Sequence, residues 1–360
     1  MSIFKTNLDF EEIKKNPEEL NRYLTSIYAL EYYTYYSYGR AQKIERDFKS
    51  LDKKYKEKLA LKPEERVQNL YDAIKLNQAY LSEIIKTHSP GNIYFQNMDK
   101  KKIEDVTYSE YTNINSSVLL YILRDWSAAS KNERNKNYAP IIDEVKKYFQ
   151  NSSKILVPGS AQCRLGYEIA KLGHFVECNE YNYTNVLMCD YFFNNAKQKD
   201  QFVLQPLVYS FLNYLKEDYA FQKFTFPDED MDLEAIKRMY LNVGDFVKLY
   251  NKSDKKFDCI ITCFFIDTAR NVLEYLEIID NLLNEGGIWI NFGPLAYHWV
   301  WSYGLSIELP YDVLKDSIKN YGFEFLNEDT NIEIALAERE GFMKNEIFRC
   351  IFFTCRKNKK

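Results

Sequence analysis

The chain has 360 residues, with 48 Lys+Arg against 52 Asp+Glu and a formal charge of −4, a balance that argues against a nucleic-acid polyanion as main partner. At this length one large domain with additions, or two domains, is expected, with room for a sizeable buried core. Its 7 cysteines are odd in number and form no C-x-x-C, which points to buried free thiols in a reducing compartment and away from a disulfide or zinc framework.

The opening "MSIFKTNLDFEE" has no basic segment followed by an apolar one, so no secretory leader is expected. The longest apolar run, "CIITCFFI", is too short to span a bilayer. A soluble protein of the cytoplasm, with the nucleus as a second compartment and no membrane partner, is the expectation. From about residue 9 to 150 the pattern is helical, charged and nearly free of glycine, beginning with "DFEEIKKNPEELNRYLTSIYALEYYTYYSYGRAQKIERDF". A second helix, "PEERVQNLYDAIKLNQAYLSEIIKTH", starts on proline and stops before Ser89-Pro90-Gly91. The stretch "NSSVLLYILRDWSAASKNERNKNYAPIIDEVKKYF" supplies two more helices, with a break predicted near Pro140. Residues 1–150 therefore read as a helical region laid over the domain that follows.

After Lys154 strand and helix alternate, the signature of a doubly wound α/β sheet. Strands are predicted near 154–158, 175–179, 238–243, 257–263 and 287–292, and helices over 164–172, 182–195 and 270–284. An aromatic, charged insertion over 196–237 is too long for a simple connection and reads as a candidate lid. "GFEFLNED" and "EIFRCIFFTCRK" predict a final strand pair. Such an ending suits the methyltransferase version of this sheet better than a dehydrogenase.

Four stretches carry chemistry. In "ILVPGSAQCRLGYEIAKLGHFVECNE" a strand, a loop, a helix and a second strand lead to Glu180, about twenty residues past Gly159, where ribose hydroxyls are held in nucleotide-binding sheets. The loop has Gly159, but Ala161 and Cys163 where further glycines are expected; both fit if their φ angles are negative. "NVGDF" brings Asp245 and Phe246 to the end of the third strand, for an adenine amine and ring, unless Asp245 is only a helix cap. "DCIITCFFIDTARN" delivers Cys263, Phe264 and Asp267 to the ligand crevice, with N-capping by Asp267 as the plain alternative. "GGIWINFGPLAYHW" adds His298, one of only 3 histidines, too few for a multi-histidine metal site.

In that order, "ILVPG…RLGYEIAKLG", "NEYNYTNVLMCDYF", "GDF", "DCIITCFFIDTARNVLEYLEII" and "GGIWINFGPLAYHW" strongly resemble the carnosine N-methyltransferase family, from "LRDWS" and "ER" through "LSIELPYDVLKDSIKNYGF" to the last strand. The resemblance covers roughly residues 20–357. It implies a seven-stranded Rossmann-like methyltransferase sheet over 151–360, an N-terminal helical region that helps close the active site, and S-adenosylmethionine as methyl donor. Cofactor contacts are implied for Tyr121, Arg124, Gly159, Glu180, Asp245, Phe246 and Cys263. Substrate contacts are implied for Phe264, Asp267, His298 and Phe348, with Asp267 and His298 catalytic.

The implied reaction is methyl transfer to an imidazole nitrogen of a histidine-containing dipeptide, carnosine to anserine. The chain departs from the family pattern at Ala161 and Cys163, at Tyr121 in place of glutamine, at Arg270 in place of histidine and at Phe348 in place of tyrosine. Two other readings stay open: the same fold acting on another acceptor such as a protein histidine, and a catalytically silent cofactor-binding scaffold. A homodimer is the candidate assembly.

Overall fold

The computed structural model describes residues 2–89, 108–336 and 341–359. Its frame is a sheet of eight strands in the order β1-β6-β3-β2-β7-β8-β10-β9. These are β1 (Lys5–Thr6), β2 (Lys154–Pro158), β3 (Phe175–Glu180), β6 (Met239–Val243), β7 (Phe257–Cys263), β8 (Leu283–Gly293), β9 (Phe323–Leu336) and β10 (Glu346–Lys357). A separate ribbon pairs β4 (Phe202–Leu204) with β5 (Phe224–Phe226). All main-sheet pairings from β1 to β8 are parallel, and β10 runs antiparallel between β8 and β9.

Seven strands were expected; the eighth is β1. It pairs Lys5 with Tyr240 and Thr6 with Leu241 along the edge of β6. Beyond it the Asn7 amide continues the ladder, accepting from Val243 N–H at 2.6 Å and donating to its carbonyl at 3.2 Å. Two residues show no periodicity, so no sequence pattern announces such a strand, yet it covers backbone groups an open edge would leave unpaired.

Parallel strands buried on both faces send alternate residues to opposite cores. On β7, Cys259 and Ile261 join the core shared with the N-terminal helices, while Ile260 faces the other with Trp289, Leu276 and Leu314. The first layer includes helices Pro17–Glu31, Pro63–His88, Leu119–Trp126 and Lys131–Tyr148; the second includes Val272–Leu282 and Tyr311–Asn320. Pro63–His88 starts on proline as expected, and the Pro90-Gly91 stop lies outside the described residues.

Pro140 does not break its helix. It lies inside Lys131–Tyr148, and the interruption falls earlier, where Ser127 caps a short 3-10 turn over Ala128–Ser130. A proline removes one N–H from the helical ladder, and the packed face holding Tyr138, Ile141 and Val145 in the core carries the helix through it. Trp126, 1% exposed, joins this region to the α/β domain: its ring lies 4.4 Å from Phe192 and its Nε1–H donates to Gln162 O at 3.0 Å.

The 196–237 insertion packs Phe202 and Phe226 around Tyr80 of the Pro63–His88 helix. None of its described residues lines the main cavity, so in this structure it is not a lid over the site.

The loop after β2 corrects another expectation. Gly159, Ala161 and Cys163 all have positive φ, at 63°, 44° and 57°. The left-handed turns persist without the glycines because Ser160 N–H donates to Asn179 O at 3.0 Å and Cys163 N–H to Ser160 O at 2.7 Å, fixing the path. A non-glycine residue there costs roughly 1–2 kcal/mol. Ala161→Gly removes only a half-exposed methyl, so it is expected to raise stability by about 0.5–1 kcal/mol after the added unfolded-state entropy. A chemical-denaturation midpoint unchanged or lowered in this variant would show the loop is not strained at Ala161.

Candidate active site

A cavity of about 570 Å³ opens at the carboxyl ends of the parallel strands, the position where open α/β sheets hold ligands. The loop after β2 forms its floor. A Cβ on Gly159 would collide with the Phe265 ring, so glycine is required there by packing as well as by φ.

Glu180 ends β3 and is 8% exposed. Its Oε1 accepts from the N–H groups of Tyr181 and Asn182, and Oε2 from Ala161 N–H, each at 2.8 Å. Two N–H donors fill Oε1, while Oε2 keeps a lone pair for one ribose hydroxyl. The carboxylate expected to hold ribose hydroxyls thus also closes the loop. Burial pushes its pKa up to about 7, against the pull of those backbone N–H groups.

Asp245 does cap the helix Phe246–Tyr250, its Oδ1 accepting from Lys248 N–H at 2.9 Å, and it lines the cavity as well. One oxygen serves the cap; the cavity position leaves the other available to a ligand. Phe246 lies beside it against Phe265 and Tyr275, with centroids 5.2 and 4.9 Å away.

Tyr121 and Arg124 reach the cavity from the Leu119–Trp126 helix. The Arg124 guanidinium stands 4.8 Å over the Tyr121 ring and grips Asp125 through Nε and Nη2 at 2.8 and 2.9 Å. Cys263, at the end of β7, lines the same wall, its thiol pushed up to about 12 by burial. Phe264 follows at φ 51°, donating its N–H to Phe292 O at 2.7 Å. A Cβ on Gly293 would meet Phe264 backbone at 3.0 Å, so that glycine makes room for the strained residue. Strain of this kind persists where surrounding structure over-determines it.

Asp267 occupies a 3-10 turn over Ile266–Thr268 and does not cap the next helix; Asn271 does, accepting from Leu273 N–H at 3.2 Å. Asp267 is 2% exposed and is not among the residues lining the cavity. Its Oδ2 accepts from Ala296 N–H at 2.9 Å and its carbonyl from His298 N–H at 3.1 Å. Burial raises its pKa, and the Ala296 N–H and the charge of His298 oppose the rise. His298 itself is exposed and lines the cavity.

Phe348 does not line the cavity. It is half-buried on β10 against the core beneath the site. Two residues along lies Cys350, its thiol pushed up to about 11 by burial and by the Asp267 charge. The other two histidines serve the fold: His88 pairs with Asp190 at 2.9 Å, and His174 accepts from Ser153 N–H at 3.3 Å. All 7 cysteines are free.

The residues present fit S-adenosylmethionine. Glu180 and Asp245 each retain acceptor capacity, and Asn137 Oδ1 is buried on the cavity wall without a hydrogen-bond partner, a position that calls for a ligand donor. Sequence reasoning missed Asn137, hidden in the polar "KNERNKNYAP". It also gave no role to Trp299, the last residue of "GGIWINFGPLAYHW".

Among the described residues no group of His, Cys, Asp and Glu is placed to hold a metal ion, and no helix is long and apolar enough to cross a membrane.

Residues 101–359 match the family model described as carnosine N-methyltransferase. The carnosine N-methyltransferase of Rattus norvegicus is 31% identical over 341 residues, 92% of this chain and 84% of that protein. The Dictyostelium discoideum enzyme of the same name is 30% identical over 365 residues, covering 95% and 77%. The one from Schizosaccharomyces pombe is 33% identical over 265 residues, covering 68% and 70%. A family match across β2 to β10 and the cavity, with relatives aligned over 92% and 95% of the chain, means that the chain belongs to the carnosine N-methyltransferase family.

Proposed function

We propose that this chain is an S-adenosylmethionine-dependent methyltransferase acting on an imidazole nitrogen of a histidine-containing dipeptide, as in carnosine. The observation that carries the proposal is one cavity lined both by Glu180, Asp245 and Phe246 and by Phe264, His298 and Arg270. The cofactor supplies a methyl group activated by its sulfonium. Everything else asked of the protein is placement, exclusion of water and control of one proton.

On the cofactor side, Glu180 and Asp245 offer acceptors to hydroxyl and amine donors, and Arg124, paired with Asp125, lines the same cavity. Tyr121, Arg124 and Asn137 come from the helical region, which supports 1–150 as cover for the site and 151–360 as the methyltransferase domain. On the acceptor side, Phe264 is a desolvated wall. The attacking nitrogen must be unprotonated, so the other ring nitrogen must carry the proton. His298 is placed to orient that N–H and receive its proton. Asp267 acts behind His298, its carboxylate stabilising positive charge there and its two backbone-facing contacts holding the segment. Seven free thiols suit a reducing cytoplasm.

The test is incubation with carnosine and isotopically labelled S-adenosylmethionine, with mass spectrometry of the dipeptide. A labelled N-methylimidazole product is expected. Transfer only to histidines of added proteins would replace the dipeptide reading, and cofactor binding without transfer to any acceptor would leave a scaffold.

Titration of Glu180 gives a second check. Its folded pKa, about 7, lies above the ordinary 4.5. Its contribution to stability is therefore present below 4.5 and lost as pH rises through about 7. Ribose hydroxyls donate to the charged form, so S-adenosylhomocysteine should bind with release of a proton. Affinity is expected to rise with pH up to about 7 and then level off. Calorimetry in two buffers of different ionisation heat measures that proton; no release at pH 6 would remove Glu180 from the ribose site.

A further inference from the structure

We infer that Arg270 is the specificity residue for the free carboxylate of the acceptor, so that the site takes a histidine bearing its own α-carboxylate in preference to a histidine inside a longer chain. The inference rests on the function proposed above and names its substrate class more closely.

Two permanent cations line the cavity, Arg124 and Arg270. Arg124 is committed to Asp125 by a two-point ion pair. Arg270 makes no ion pair among the described residues and is exposed at the rim. An exposed arginine usually wanders, but this one is held. Its guanidinium lies 3.5 Å over the Trp299 ring, and a Cβ on Gly304 would come within 2.6 Å of Arg270 Nη1. Glycine at 304 leaves that space to the guanidinium.

The backbone on both sides is fixed too. Trp299 Nε1–H donates to Thr268 O at 2.9 Å, and Ile307 N–H donates to Arg270 O at 2.9 Å. Stacking fixes the plane of the fork while its N–H edges remain free, the arrangement suited to planar, bidentate recognition of a carboxylate.

Its place in the site gives the occupant. Trp299, which carries the stack, follows His298 in the chain, and His298, Trp299 and Arg270 all line the one cavity. A histidine with a free C-terminus presents imidazole and carboxylate a few bonds apart, and the cavity offers both a histidine and a guanidinium. A histidine within a protein chain has a neutral amide at that position. A site built for a charged partner discriminates strongly against an analogue that lacks it.

The experiment compares carnosine with its C-terminal amide, using the full chain and its Arg270→Ala and Arg270→Lys variants. Turnover with S-adenosylmethionine is one readout. Calorimetric binding of each peptide to the chain saturated with S-adenosylhomocysteine is the other. In the parent, kcat/KM and affinity should favour the acid over the amide by at least about tenfold, the scale of one hydrogen-bonded charge pair. In Arg270→Ala that ratio should fall to near unity, and Arg270→Lys should lie between, keeping charge without the fork. Equal preference in the parent, or a ratio unmoved in Arg270→Ala, overturns the inference while leaving the methyltransferase reading intact. Binding that follows the expected ratio with no transfer to either peptide overturns the reaction and supports the recognition. No binding of either peptide overturns both.

Discussion

Asp267→Asn is expected to lower turnover of an imidazole acceptor by at least about a hundredfold, the scale of losing one preorganised electrostatic group. Cofactor affinity and thermal stability should change little. The substitution keeps the shape of a residue that is 2% exposed. One amide oxygen can still accept from Ala296 N–H, and the carbonyl that receives His298 N–H belongs to the backbone and is untouched. What disappears is negative charge behind His298. With a neutral amide there, positive charge developing on that side of the site loses its electrostatic support. Because Asn271 caps the following helix, a capping loss cannot imitate this result. Two measurements keep it distinct from simple disorder: kcat should fall while KM for the acceptor changes little, and cofactor titration should be unchanged. Turnover within tenfold of the parent would sink the assignment of Asp267.

The parts of the fold with long periodic signals were legible in the sequence. Strands predicted at 154–158, 175–179, 238–243 and 257–263 lie within a residue or so of those observed, and β8 contains 287–292 within a longer span. Their carboxyl ends converge because a parallel sheet has all its carboxyl ends on one side, which is why Gly159, Glu180, Asp245, Phe246, Cys263 and Phe264 line a single cavity.

What was not legible depends on the third dimension. Backbone φ at Ala161 and Cys163 is set by hydrogen bonds to Asn179 and Ser160, which no spacing displays. Asp267 occurs in the same motif as Phe264, yet a 3-10 turn rotates it away from the cavity toward Ala296. Phe348 shares a strand face with Cys350, and neither its register nor its distance from the cavity follows from its type. Asn137 lies among charged residues in the sequence, although its helix presents it to the cavity with Oδ1 unpartnered.

Glu180→Ala is expected to weaken S-adenosylmethionine and S-adenosylhomocysteine alike, by at least about a hundredfold. A hydrogen bond to a charged group is worth about 1.5–3 kcal/mol, so losing the ribose contact at Oε2 alone accounts for roughly ten- to a hundredfold. The rest comes from the loop. Three backbone N–H groups, those of Ala161, Tyr181 and Asn182, lose their acceptor together. Ala161 is already held at positive φ by its surroundings, so removing its tether lets the loop relax toward conformations that no longer match the ligand. Glu180→Gln separates the two contributions. Its single carbonyl oxygen can replace Oε1 or Oε2 but not both, and its amide N–H₂ faces donors where acceptance is needed. It should therefore bind the cofactor more weakly than the parent and lose the pH dependence below 7 that the carboxyl confers. Calorimetry on the three proteins at pH 8 and pH 6 reads both effects. Parent-like affinity in Glu180→Ala would place the ribose elsewhere. Weakened binding in Glu180→Gln that still varies with pH as in the parent would assign the proton to another group in the cavity.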